Sequence, residues 1–117
     1  MRIQAFTAIV ALLALAGCAS DPAPSEQLRL TEQAVEQARA VGATDDVAEM
    51  KLASDKLAAA LAANGSQSYR QARLLAEQAE LDARLAEAKV LTEKSQQQLT
   101  QVNTRIVRLH KQLGEVQ

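Results

Sequence analysis

The chain has one cysteine, two prolines, four glycines, no tryptophan, one tyrosine and one phenylalanine among its 117 residues. Each scarcity removes a class of protein. A lone cysteine excludes an internal disulfide framework. With aromatics at 2% and a formal net charge of −1, the chain has neither the basic stripe nor the stacking platforms of a nucleic-acid binder. It has no run of about 20 apolar residues, so no transmembrane helix is expected. Few glycines and prolines leave long stretches with nothing to interrupt a helix.

What is present begins with a leader. Met1-Arg2 is a short basic start, and Ile3 to Ala14 is an apolar run too short to cross a bilayer. Leu15-Ala16-Gly17-Cys18 then reads as a lipobox, which directs lipid to Cys18 and cleavage between Gly17 and Cys18. Since no internal disulfide can form, Cys18 is a loose thiol, an intermolecular bridge or a modification site, and its address at the end of the leader selects modification. The alternative is an ordinary secretory leader with a chance cysteine. Diacylglycerol on the thiol plus an acyl chain such as palmitate on the new amino terminus make a lasting anchor, because each buried methylene contributes about 0.8 kcal/mol and one chain alone is marginal. An aspartate directly after the cysteine resembles an inner-membrane retention signal. Here Ala19 and Ser20 follow and Asp21 comes one step later, so the expected location is the outer membrane, on its periplasmic face.

Removing residues 1–17 leaves 100 of the 117, near the low end for a self-sufficient core. Tyr69 is then the one aromatic residue, and alanine dominates the apolar set from Ala34 to Ala88. Alanine favours helix and lets helices approach closely, yet each buries little area. A roomy enzyme pocket is not expected.

Residues 18–24, with Pro22 and Pro24, suit an extended tether. Ser25 is the expected N-cap of a first helix, with Glu26 in its positive first turn, apolar positions at Leu30, Ala34, Ala38 and Val41, and a stop at Gly42. Thr44 or Asp45 is expected to cap a second helix carrying Met50, Ala53, Leu57, Ala60 and Leu61, which ends in an Asn64-Gly65 turn. A third helix then has no glycine or proline until Gly114, a length of roughly 70 Å.

In its first half this helix has two apolar seams on opposite sides. Tyr69, Ala72, Ala76, Ala79, Ala83, Ala86 and Val90 form one, expected to face helices one and two; Leu74, Leu81, Leu85 and Ala88 form the other, expected to face a partner or a second copy. Beyond residue 90 one seam continues through Leu99, Val102, Ile106, Leu109, Leu113 and Val116, linked to Leu85 and Ala88 by the weaker positions Thr92 and Ser95. Flanking sites such as Gln98, Asn103, Arg105, His110 and Gln112 offer few complementary charges, so strand number is poorly specified. The seam points to self-association or capture of a partner helix; the alternatives are an arm folded back on its own bundle and a lone amphipathic helix. The expected architecture is all-α: a helical hairpin or three-helix bundle over residues 25–90, with a coiled-coil-like arm over 91–117.

The run Gly42-Ala43, then Lys56-Leu57-Ala58-Ala59-Ala60, then Tyr69 to Ala86 (YRQARLLAEQAELDARLA) resembles the domain of unknown function 4398 family, over about residues 22–90. The resemblance implies a small, helical, lipidated envelope protein of Gram-negative bacteria. Some members of that family carry an OmpA-like peptidoglycan-binding domain. Here the heptad arm stands in its place, so direct peptidoglycan binding is not carried over and non-covalent contact with peptidoglycan stays open. The family has no assigned catalytic residues.

A search for chemistry returns little. His110 has no ligand set around it, with Glu115 five residues away on another face, so a solvated helix histidine is the reading and no metal or cofactor is expected. Asp45-Asp46 is better explained by helix capping than by acid catalysis. No phosphate loop, serine elbow or metal motif occurs. Arg105, Arg108 and Lys111 form a basic patch that reads as a solvated face, the alternative being contact with an anionic glycan, phospholipid or acidic partner. The ending Glu115-Val116-Gln117 lacks a terminal lysine for covalent attachment to peptidoglycan, which is not expected. Together these features predict a non-catalytic outer-membrane lipoprotein that holds, spaces or scaffolds envelope components as a homo-oligomer or with a helical protein partner. The alternative is an accessory or regulatory subunit of an envelope enzyme or transporter.

Overall fold

A computed structural model of the chain describes residues 21–114; the leader, the Gly17-Cys18 cleavage and lipidation site and residues 115–117 lie outside the described residues. Three helices follow in order: α1 (Ser25–Ala40), α2 (Ala48–Gly65) and α3 (Tyr69–Gly114). The protein is all-α, a three-helix bundle extended by the distal part of α3. Polar pairs give the directions. Gln27 and Gln37 of α1 reach Glu80 and Glu87 of α3, whereas Glu49 and Lys56 of α2 reach Lys89 and Asp82, so α1 runs with α3 and α2 runs against it. Both short helices pack chiefly on α3 and touch each other less.

The alanine seam of α3 is the floor of the core. Ala72, Ala76, Ala79, Ala83 and Ala86 are wholly buried and Val90 nearly so. Against them lie Leu28, Thr31, Ala34, Val35 and Ala38 from α1 and Met50, Ala53, Ala60 and Ala63 from α2. Small side chains let the backbones close in. The Thr31 hydroxyl lies 3.0 Å from the Ala76 carbonyl across the helix interface and 2.8 Å from its own Gln27 carbonyl. A bulkier residue at 76 would hold α1 away, at a cost of about 1–3 kcal/mol for overpacking.

Four local expectations shift. Ser25 does not cap α1: it is the first helical residue, Pro24 occupies the N-cap position, and the Pro24 carbonyl accepts the Leu28 N–H at 2.9 Å. Neither Thr44 nor Asp45 caps α2; Val47 does, without a side-chain bond, while the Thr44 carbonyl accepts the Val47 N–H. Leu30 and Leu61, expected inside, are exposed, because the buried frames run through Leu28 and Thr31 in α1 and through Ala60 and Ala63 in α2. Val41 is the half-buried C-cap of α1 rather than part of its buried stripe.

The two turns share one hydrogen-bond pattern on different residues. After α1, Gly42 takes φ +99, with Ala43 N–H bonded to Ala38 O and Gly42 N–H to Arg39 O, both at 2.9 Å. This is a Schellman stop, with Ala43 and Ala38 both buried in one core cluster. After α2 the same pattern falls two residues beyond the expected Asn64-Gly65 turn: Ser68 N–H bonds Ala63 O, Gln67 N–H bonds Asn64 O, and Gln67 takes φ +61. Gly65 stays helical.

Candidate functional site

Among the described residues Val90 is the last that is buried. Every residue from Leu91 to Gly114 is exposed, so neither α1 nor α2 covers that stretch and the arm does not fold back on the bundle. Lys94 is the clasp at its root: its ammonium donates to the Val41 carbonyl at the end of α1.

The apolar residues of α3 divide by size as well as by direction. Its buried face is alanine. Three of its large aliphatics point the other way, Leu74 at 54% exposed, Leu81 at 67% and Leu85 at 48%, while Leu75 is half-buried against the bundle. At 100° per residue, these three lie about 180° from the centre of the alanine seam. Leu99, Val102, Ile106, Leu109 and Leu113 are also exposed and continue in the same phase. Thus all eight seam residues singled out from the sequence lie on one face of one helix.

One position completes the face. Gln78, half-buried between Leu74 and Leu81, fills the remaining step, so positions 74, 78, 81, 85, 88, 92, 95, 99, 102, 106, 109 and 113 alternate spacings of four and three without a break. A side-chain hydropathy pattern passes over it because glutamine is polar; the spacing alone would have found it. A 3.5-residue repeat drifts by about 20° per heptad on a straight helix, a drift that a left-handed supercoil absorbs.

The charged groups around the bundle are structural. Asp82 holds Lys56 at 2.6 Å between α2 and α3, and Glu49 holds Lys89. Arg84, followed by the Gln27 amide, keeps the Glu80 carboxyl below its ordinary range. The hydrogen bond from Lys89 does the same for Glu49, followed by a backbone hydrogen bond at Glu49. Both are carboxylates stabilised in their charged form rather than poised to carry protons.

Other sites hold less chemistry. His110, Arg105, Arg108 and Lys111 are exposed on the arm, and Asp45 and Asp46 are exposed in the turn before α2. Among the described residues no group of three His, Cys, Asp or Glu side chains could hold a metal ion, and no helix is long and apolar enough to cross a membrane. A hollow at the foot of α3, lined by Asp21, Gln67, Tyr69, Arg70 and Leu74, is open to solvent.

Comparison with known proteins agrees with this architecture. The family model described as "Domain of unknown function (DUF4398)" matches residues 26–102, running past Val90 and well into the arm's seam. A crystal structure of a DUF4398 family protein from Pseudomonas aeruginosa PAO1 is 69% identical, with a TM-score of 0.80, covering 82% of this chain and 100% of that chain. No curated protein matches.

Proposed function

Because this chain belongs to the DUF4398 family, a family of unknown function, we propose from its own physics that it is an outer-membrane lipoprotein with a non-catalytic, structural role in the cell envelope. Acyl chains on Cys18 hold the amino terminus at the membrane, residues 19–24 are the tether, and the helical body presents its exposed face to a second copy or to a helical partner. The observation that carries this reading is the face of α3 bearing Leu74, Leu81, Leu85, Leu99, Val102, Ile106, Leu109 and Leu113, left uncovered while its opposite face is buried as far as Val90. Scattered surface leucines need no partner; eight large apolar residues in one register do.

The direction of the chain supports the same arrangement. The Pro22 carbonyl lies 3.5 Å from an Arg73 guanidinium nitrogen, so the tether enters beside the foot of α3. From there to Leu113 the helix extends about 60 Å. The anchored end and the arm's tip are therefore at opposite ends of the molecule, as a spacer or scaffold requires.

Two measurements test the proposal. A palmitate analogue fed to cells should label the parent protein and leave Cys18→Ser blank; equal labelling of both would remove the anchor. In-cell crosslinking from the arm should give a defined product that Leu99→Asp plus Ile106→Asp abolishes. An unchanged product would remove the exposed face from the function.

A further inference from the structure

We propose that the occupant of this face is a second copy of the chain, paired antiparallel, so that the arm of each molecule covers the leucine-bearing back of the other's bundle. This rests on the reading of the face as a contact surface and specifies what makes the contact.

Area is the first argument. The eight large aliphatics together expose about 800 Å² per chain, the share that each partner brings to a standard-sized stable interface. A second copy supplies the same area again. The bundle leaves that side clear, since α1 and α2 occupy the opposite side of α3.

Register is the second. With 78, 85, 92, 99, 106 and 113 as a positions and 74, 81, 88, 95, 102 and 109 as d positions, an antiparallel pair sets a against d, and all twelve find a counterpart when residue n of one copy faces residue 187 − n of the other. Ile106 then meets Leu81, Val102 meets Leu85, and Leu99 meets Ala88. Leu99 of the arm falls against the small Ala88 and Leu109 against the polar Gln78, so the bundle's weakest positions are each backed by a leucine. The polar positions Thr92 and Ser95 meet only each other, at the centre of the pair. A parallel in-register pair would instead stack Ala88, Thr92 and Ser95 on their own copies, giving three thin layers in succession.

Charge is the third. Parallel pairing sets each g position against the e position five residues on, which juxtaposes Glu77 with Asp82, Arg84 with Lys89, and Arg105 with His110. None of these is an attraction. Antiparallel pairing sets Glu77 against Gln112, Asp82 against Asn103 and Lys89 against Gln96, with one like pair, Arg84 and Arg105. Within each chain Arg84 is paired with Glu80, Lys89 with Glu49 and Asp82 with Lys56, which softens the like-charge contacts in both arrangements; the antiparallel one has the fewer of them. The antiparallel pair is a rod whose two tether-bearing feet lie about 60 Å apart, one at each end, so that with both feet anchored it lies along the membrane as a scaffold rather than projecting from it as a spacer.

Disulfide trapping decides the direction. In full-length chain carrying Cys18→Ser, purified in detergent, Leu81→Cys and Ile106→Cys are prepared separately, then tested alone and mixed under mild oxidation. Antiparallel pairing is expected to link the mixture into a covalent dimer and to leave each variant alone unlinked, since like positions are then about 37 Å apart. Homodimers of Ile106→Cys alone would overturn the antiparallel pairing while leaving self-association in place. No link in any arm, with the parent chain sedimenting as a monomer, would overturn self-pairing altogether; the crosslinking test above would then decide between a foreign helical partner and none. Both substitutions are at exposed positions, and an unchanged helix signal checks the fold.

Discussion

The core of this bundle should be far more sensitive to its largest fully buried side chain than to any of its exposed leucines. Met50 is wholly buried and is the largest side chain so enclosed. It clusters with Ala34, Val35, Ala38, Ala43, Ala53, Ala83, Ala86 and Val90, residues too short to move into space that it leaves, with Val47 and Leu57 packed against the cluster as partly buried neighbours. Met50→Ala therefore creates a cavity that relaxes little, and a loss of about 3 kcal/mol is expected from the range for such truncations. In a domain of ordinary stability, about 5–15 kcal/mol, that is a large fraction. Leu81 is the more hydrophobic residue by type, yet 67% of it is exposed. In dilute solution Leu81→Ala should cost about 0.5 kcal/mol or less, and its cost should grow with protein concentration if the face is covered by a second copy. Urea unfolding followed by helix ellipticity gives both values as midpoint shifts at constant slope. A Leu81→Ala loss equal to that of Met50→Ala in dilute solution would refute the assignment of inside and outside.

The turn after α2 places a glycine and a left-handed residue at different positions. Gly65→Ala should stabilise by about 0.5–1 kcal/mol, because the residue is helical and an added Cβ meets nothing within 4 Å. Gln67→Gly should gain a similar amount, about 0.5–1 kcal/mol, by relieving φ +61, and thermal or urea midpoints would show both. Acid stability follows from Glu80 and Glu49, whose folded carboxyls lie below the ordinary value. Their contribution is full above the unfolded carboxylate value, about 4.3, and is lost as pH falls through the lower folded value. The unfolding midpoint should therefore be level above about pH 5 and decline below about 4.3, with Glu80→Gln reducing the decline; an identical acid slope in that variant would exclude Glu80 as a contributor.

The long helix was legible because its alanines repeat at three and four while its leucines repeat in the opposite phase. The short helices were less so. In α1, Leu28 and Leu30 are two residues apart and cannot face the same way, and the frame through Leu30, Ala34 and Ala38 is wholly apolar. The protein takes the frame through Leu28, Thr31, Val35 and Ala38, since Thr31 satisfies its hydroxyl on backbone carbonyls. Tertiary hydrogen bonding here reverses a choice that hydropathy alone would make. In α2 so many residues are alanine that the pattern has little contrast, and Ala63, not Leu61, ends inside. Cap propensities failed for a related reason: Ser25 and Thr44 offered hydroxyls, but Pro24 and Val47 hold the N-cap positions without a side-chain bond.

The exposed face was legible in phase but not in its freedom. Nothing in the residue pattern said whether the arm would extend or double back, and only the position of α1 and α2 on the alanine side leaves Leu74 through Leu113 open along one line. The resulting molecule departs from the usual sorting by size: alanines make most of its core, with Leu28, Val35, Met50 and Val90 as the larger members, and most of the leucines of α3 remain outside. Alanine seams permit close packing but bury little area per residue, so the bundle gains stability from length and fit. Beyond Val90 even that support ends. A helical segment that long without tertiary packing depends on propensity alone, and the threonines of the arm, at 92, 100 and 104, turn their hydroxyls back to carbonyls four residues earlier, which favours bending more than rigidity. What would hold such an arm straight is burial of its aliphatic stripe, and the surface most closely matched to it in length, register and apolar area is the back of the same helix in another copy.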